Sequence, residues 1–280
     1  MKTPEIVTSA AELRAHVAGW RKTRRRIVLV PTMGALHEGH LALTRATRTR
    51  TTRTVVSIFV NPAQFAPHED FDRYPRNLET DAAKLEGHAD LIFAPSVKEM
   101  YPDGFATKIE VGGPSIGLET DFRPHFFGGV ATVVSKLLIA AMPDVAVFGE
   151  KDYQQLLVIR RLNADLGLPI EIFGVPIVRE PDGLAMSSRN AYLKPREREI
   201  AASMNVVLKD VIERVRERGH IGVGENFGKS ALLKAGFDSV DYVAIRDAQT
   251  LETVSDLSRP ARILAAAKVG GTRLIDNMAI

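Results

Sequence analysis

The amino-acid sequence predicts an α/β protein: a parallel sheet covered by helices on both faces, followed by a smaller α+β domain. Three observations carry that prediction. Over the first two-thirds of the chain, short continuous apolar runs alternate with helix-like segments. Such runs, closed by turn signals such as Asn61-Pro62 and Pro95, read as strands buried on both sides, the mark of a parallel sheet. After about Val178 the pattern changes to a long charged amphipathic segment, Gly-rich turns and three closing strand candidates. The expected division is 1–178 and 179–280.

Taken in order, Ser9-Ala10-Ala11-Glu12 has the Ser-x-x-Glu form of a capping box and starts the first helix. Residues 26–30 form a β-branched run, read as the first strand. A helix is expected from His40 to about Arg50, a strand over 54–60 closed by Asn61-Pro62, and a helix over 78–88. A strand over 90–94 ends at Pro95, and an apolar helix over 129–142 is stopped by Pro143. A strand over 145–148, a helix over 152–166 and an extended segment over 170–178 complete the first part. In the second part, helices are expected over 196–218 and near 229–235, and strands over 239–246, 262–269 and 272–276.

Composition removes several function classes. The chain has 280 residues, 45% hydrophobic and 25% charged, which is ordinary for a folded globular protein. It has no cysteine, so disulfides, zinc–thiolate sites and cysteine nucleophiles are excluded. No apolar run approaches the roughly 18–20 residues of a membrane span, and MKTPEIVTSAAEL lacks a signal-peptide core. A cytoplasmic protein without a membrane partner is therefore expected. The net charge is +3, with basic clusters at 21–26 and 45–53. Nucleic-acid binding would call for aromatics among them. Only Trp20 is near, so the clusters read as solvated surface and no nucleic-acid partner is expected.

Four stretches carry chemistry. PTMGALHEGH follows the first strand and holds His37 and His40. A zinc-binding HExxH helix needs histidines four residues apart, and the fourth residue after His37 is Leu41. That option falls. A strand-to-helix turn at the carboxyl end of a parallel sheet is where ligands bind, and a helix N-terminus suits phosphate. The histidines would add donors or, if protonated, charge; Gly34 and Gly39 would let the backbone approach a nucleotide. On spacing alone, a phosphate site and a plain loop both stay open.

FGEKDYQQL places Lys151 as a point charge for phosphate and Asp152 as a helix cap, ribose contact or metal contact. Gln154 and Gln155 either orient a polar substrate or lie on a solvated face. AMSSRN offers Ser187, Ser188 and Arg189, a polyphosphate clamp or a simple turn. SIFVNPAQF supplies the uncharged amides of Asn61 and Gln64 at the same end of the sheet as HEGH. Three such loops on one sheet converge on one place.

With those residues in hand, the chain resembles the pantoate–β-alanine ligase (pantothenate synthetase) family. PTMGALHEGH, SIFVNPAQF, YPR, FAPS, FGEKDYQQL, DGLAMSSRN and RLIDN occur in the family's order, from residue 30 to residue 277. HxGH alone is shared by many nucleotidyltransferases and class I aminoacyl-tRNA synthetases; the set is far more specific. The resemblance implies a Rossmann-like nucleotidyltransferase domain with a smaller C-terminal lid. It also implies a homodimer, and ligation of pantoate and β-alanine with ATP cleaved to AMP and pyrophosphate, Mg²⁺ assisting.

By family role, Met33, Gly34, Ala35, Leu36, His37, Glu38, Gly39 and His40 line the ATP site, with His40 as proton donor. Gly149, Glu150, Lys151, Asp152, Met186, Ser187, Ser188 and Arg189 complete it, with the Val178 backbone near the base. His37, His40, Lys151 and Arg189 are implied to act in catalysis. Gln64 and Gln155 are implied to hold pantoate, with Asn61 and Arg123 beside them, and Asp81 to contact Mg²⁺. One departure stands out. The family commonly reads Arg-Pro-x-His-Phe before Gly-Val, whereas this chain has Arg123-Pro124-His125-Phe126-Phe127. Either His125 substitutes or that histidine is dispensable. The competing expectation is a nucleotidyltransferase acting on another small molecule.

Overall fold

A computed structural model describes residues 3–49, 52–67 and 69–280. The first part runs β1 (Glu5–Val7), α1 (Ala10–Lys22), β2 (Arg26–Thr32), α2 (Glu38–Ala46), β3 (Thr52–Ile58), α3 (Leu78–Lys84), β4 (Leu91–Phe93), α4 (Val97–Met100), α5 (Glu119–Phe122), α6 (Phe126–Ala141), β5 (Val145–Gly149), α7 (Tyr153–Asp165) and β6 (Glu171–Val175). The second part holds α8 (Pro195–Arg218), α9 (Ile221–Ala235), β7 (Ser239–Asp247), β8 (Ala261–Val269) and β9 (Thr272–Ala279).

The first six strands form one sheet in the order β1-β4-β3-β2-β5-β6, every pairing parallel. Alternate side chains go to opposite faces. Ile27, Leu29, Val55 and Phe93 pack against helices that include α1 and α6. Val28, Val30, Val56 and Ile92 pack on the other face with Leu43 of α2 and Ala82 of α3. Both faces are apolar because both are covered. The first helix has the expected cap: Ser9 Oγ accepts from the Glu12 amide, and the Glu12 side chain accepts from the Ser9 amide.

The second sheet is antiparallel, in the order β7-β8-β9. Val243, Ile245, Ile263 and Ala265 pack with residues of α8 and α9. On its other face, Tyr242, Ala244, Leu264 and Ala266 pack on Leu118, Tyr153 and Leu157 of the first part. The two parts are thus joined by an apolar seam beside the carboxyl ends of the large sheet's strands. No helix among the described residues is long and apolar enough to cross a membrane.

Several boundaries differ from the sequence expectation, for physical reasons. The α9 helix starts at Ile221, not near Lys229. Its glycines read as turns but mark close packing: a Cβ at Gly224 would lie 2.3 Å from Val215 Cγ2, and one at Gly228 2.9 Å from Val211 and Val243. The α2 helix begins inside HEGH, with His37 as its N-cap, and ends at Ala46; the expected end at Arg50 lies outside the described residues. The β1 strand is too short to register as a run, yet pairs with β4. The α6 helix begins three residues before the expected Gly129.

Candidate active site

Going outward from β2, the chain places β3 and then β4 on one side and returns with β5 on the other. Ligands bind at such a reversal, at the carboxyl ends of the strands. The HEGH loop leaves β2 there, and the 149–152 turn leaves β5. With the loop after β3 they open onto a cavity of about 620 Å³. Met33, His37, Gly39, His40, Gln64, Gly149, Lys151, Asp152, Gln155, Val178 and Met186 to Arg189 line it, as do Tyr242, Arg273 and Asn277 of the second sheet.

The two histidines cap their own helix. The Gly39 amide donates to His37 Nδ1 at 3.2 Å, and the His37 amide donates to His40 Nδ1 at 3.2 Å. An imidazole nitrogen that accepts carries no proton, so this network assigns each neutral ring its proton on Nε2. Burial pushes His37 down to about 4, helped by the nearby charges of Lys151 and Lys84. Burial pushes His40 to about 3, helped by His37, Lys151 and Lys84. The rings lie 4.1 Å apart. They are therefore neutral Nε2–H donors, and the option that they carry charge is set aside for this state. Gly39 makes room for the ring: a Cβ there would lie 2.9 Å from the His37 imidazole.

These shifts predict a pH dependence. As pH falls below the unfolded value near 6.5, the unfolded chain takes protons that the folded histidines refuse. Stability is then full above about 6.5 and declines as pH falls toward 4 and 3. Thermal melts between pH 7.5 and 5 should show the decline. The His37→Asn/His40→Asn variant, capped but unable to titrate there, should flatten it; an unchanged slope contradicts the assignment.

Lys151 pairs with no carboxylate among the described residues and faces the histidines. Arg189 differs from expectation. Its Nε and Nη2 donate to Asp70 at 2.9 and 2.8 Å, so one fork of the guanidinium is taken and the Nη1 hydrogens and the second Nη2 hydrogen are left for a phosphate. Burial opposes ionisation of Asp70, but the Arg189 guanidinium holds its carboxyl below the ordinary value. Ser188 donates to the Ala35 carbonyl at 3.1 Å, tying the AMSSRN loop to HEGH.

Other expected site residues stand behind the wall. Gly34 (φ +83°) and Ala35 make the turn, Leu36 is 2% exposed in the core, and Glu38 pairs with Arg45 at the surface. None of the four lines the cavity. Asp81 staples the loop: its oxygens accept from the Ala35 and Leu36 amides at 2.9 and 2.8 Å, and it too is absent from the lining. Glu150 turns away to Arg262 at 3.1 Å.

Asn61 borders the cavity with its polar atoms spent. Its Nδ2 donates to Gln64 Oε1 and the Gly129 carbonyl, both at 3.1 Å, and its Oδ1 accepts from Tyr101 and the Ala63 amide. It holds Gln64 and has nothing left for a substrate. Arg123 is largely engaged, donating twice to Glu69 at 2.7 Å and once to the Gln64 carbonyl, with Nη1 3.7 Å from a Glu119 oxygen. Phe126, under the Arg123 guanidinium at 3.9 Å, lines the cavity, while His125 is exposed outside it; His125 does not substitute. Gln155 lines the cavity with no hydrogen bond among the described residues, whereas Gln154 braces the 114–119 loop.

Sequence reasoning missed Asp70, Glu69 and Lys84, whose Nζ donates to the Leu36 carbonyl at 2.7 Å. It also missed the part played by RLIDN, although that motif was visible.

Comparisons with known proteins give matches over nearly the whole chain. The family model described as pantoate-beta-alanine ligase matches residues 5–279. The chain is 55% identical to the pantothenate synthetase of Mesorhizobium japonicum, over 99% of this chain and 98% of that one. It is 52% identical to that of Caulobacter vibrioides, over the full length of both. Among solved structures, a pantothenate synthetase from Thermus thermophilus superposes with TM-score 0.91 at 47% identity, covering 98% of each chain. A pantoate-beta-alanine ligase from Francisella tularensis, complexed with beta-gamma ATP and beta-alanine, gives 0.83 at 33% identity, covering 98% and 97%.

Proposed function

The chain belongs to the pantoate–β-alanine ligase family and joins pantoate to β-alanine with ATP as substrate; from that premise we propose that the reaction runs through a pantoyl-adenylate. The carrying observation is the unpaired Lys151 facing two neutral Nε2–H donors at the switch point of the parallel sheet.

A carboxylate is a poor electrophile, so pantoate needs activation. One of its oxygens attacks the α-phosphorus, and the α–β bridging oxygen leaves with pyrophosphate. Lys151, the Nε2–H groups of His37 and His40, and the remaining N–H groups of Arg189 stabilise the charge that develops on the phosphate oxygens. His40 acts here as a hydrogen-bond donor. Gln64, oriented by Asn61, and Gln155 hold pantoate. Ser187, Ser188, Met186, Gly149, Asp152 and the Val178 backbone hold the nucleotide. The β-alanine amine then attacks the acyl carbon, and AMP leaves with the oxygen that came from pantoate. Residues 179–280 act as a covering domain that keeps water from the adenylate.

Mg²⁺ belongs to the same proposal as part of the substrate. No group of three or more His, Asp or Glu able to hold a metal occurs among the described residues. That suits an ion bound through phosphates and waters with few protein carboxylates, of which Asp152 faces the cavity. A cytoplasmic homodimer, as the resemblance implies, completes the reading.

The test is omission. With Mg²⁺-ATP, pyrophosphate release requires pantoate and not β-alanine for a first turnover; steady AMP release requires both. Pyrophosphate release without pantoate, or none with it, removes the proposal and favours a nucleotidyltransferase for another substrate.

A further inference from the structure

The geometry assigns Asn277, on the C-terminal sheet, as a positioning residue for Lys151 on the N-terminal sheet. This rests on the reading of Lys151 as a phosphate-facing group.

Asn277 is 2% exposed on β9. Both N–H bonds of its Nδ2 are used, donating to the carbonyls of Glu150 and Lys151 at 2.9 Å each. Its Oδ1 accepts from Arg262. That same Arg262 pairs with Glu150 at 3.1 Å and lies 3.8 Å over the Tyr153 ring. The turn from Gly149 to Tyr153 is therefore gripped on its backbone, on the Glu150 side chain and on its following helix, always from the second sheet. The neighbour Asp276, 3% exposed, is fixed by a two-bond pair with Arg179 at 2.7 and 2.9 Å. The clamp is itself anchored.

The Lys151 ammonium has no hydrogen bond or ion pair among the described residues. Its position before substrate arrives is set by its backbone, and that backbone is set by Asn277. Residue chemistry is specific here. Only a neutral amide offers two N–H groups to two carbonyls and an acceptor to a guanidinium. An aspartate would set oxygens against both carbonyls.

The test is a double-mutant cycle on pantoate-dependent pyrophosphate release. Asn277→Ala and Asn277→Asp are expected to lower kcat by roughly 10-fold to 10²-fold, the size of a small misplacement of a catalytic group, with KM for pantoate little changed. In a Lys151→Ala background the same substitutions are expected to cause no further loss. Equal losses in both backgrounds, with Lys151→Ala itself impaired, overturn the inference and leave the role of Lys151 standing. A wild-type rate for Lys151→Ala overturns the reading of Lys151 and the inference with it. Thermal melts report whether each variant folds. Should the Asn277 variants not fold, Arg262→Lys loosens the same grip from its outer side, and the same non-additivity with Lys151→Ala is expected.

Discussion

Replacing His40 with alanine lowers single-turnover pyrophosphate release by about 10²–10³-fold, the usual cost of one donor to a developing oxyanion. The substitution removes two things. It deletes the Nε2–H donor of a residue that lines the cavity, and it deletes the Nδ1 acceptor that holds the His37 amide at 3.2 Å. The second loss frees the helix start and lets the His37 ring drift, so both donors suffer. His40→Asn separates the effects, since an amide caps well but cannot reach as far. It should keep the wild-type melting temperature more nearly than alanine does and remain slow. A near-normal single-turnover rate in His40→Ala removes His40 from the chemistry.

Gly129→Ala combines a loss of stability with a loss of pantoate affinity. A Cβ at this position in the first turn of α6 would lie 2.3 Å from the Ala63 carbonyl oxygen and 2.8 Å from the Gln64 amide. Both contacts are backbone, so no side chain can rotate away. Helix and loop must part, breaking the Asn61 bond to the Gly129 carbonyl and moving Gln64. Overpacking costs about 1–3 kcal/mol, occasionally more, and this case belongs at the upper end. At roughly 2–4 °C per kcal/mol for a chain of this size, melting falls by several degrees. Calorimetry and a pantoate titration check it: wild-type melting and an unchanged KM for pantoate would show that the loop and helix are not in that contact.

The sequence made the architecture legible because each strand was a closed apolar run and each helix a separate period. It was least legible where glycine served packing, as in the first half of α9. At the site, residue type announced chemistry but not partner. Asn61 reads as a substrate amide, yet its partners Tyr101 and Gly129 lie 40 and 68 positions away. Arg189 reads as a phosphate clamp and Arg123 is implied at the pantoate site, but their carboxylates, Asp70 and Glu69, stand 119 and 54 positions earlier. Asp81 is a metal contact only by the resemblance; a carboxylate that staples a buried loop and one that holds a metal are the same residue type. The histidine pair had a local signature after all: positions 37 and 40 are the N-cap and the third helical residue, the spacing of Ser9 and Glu12. Histidine is simply not an expected cap.

In the adenylate route, one pantoate carboxylate oxygen becomes bonded to the α-phosphorus. Pantoate carrying ¹⁸O in its carboxylate tests it directly, with both phosphorus products read by mass spectrometry. The expected result is one ¹⁸O in each AMP and none in pyrophosphate. Label in inorganic phosphate, with ADP in place of AMP, or AMP free of label, would contradict it.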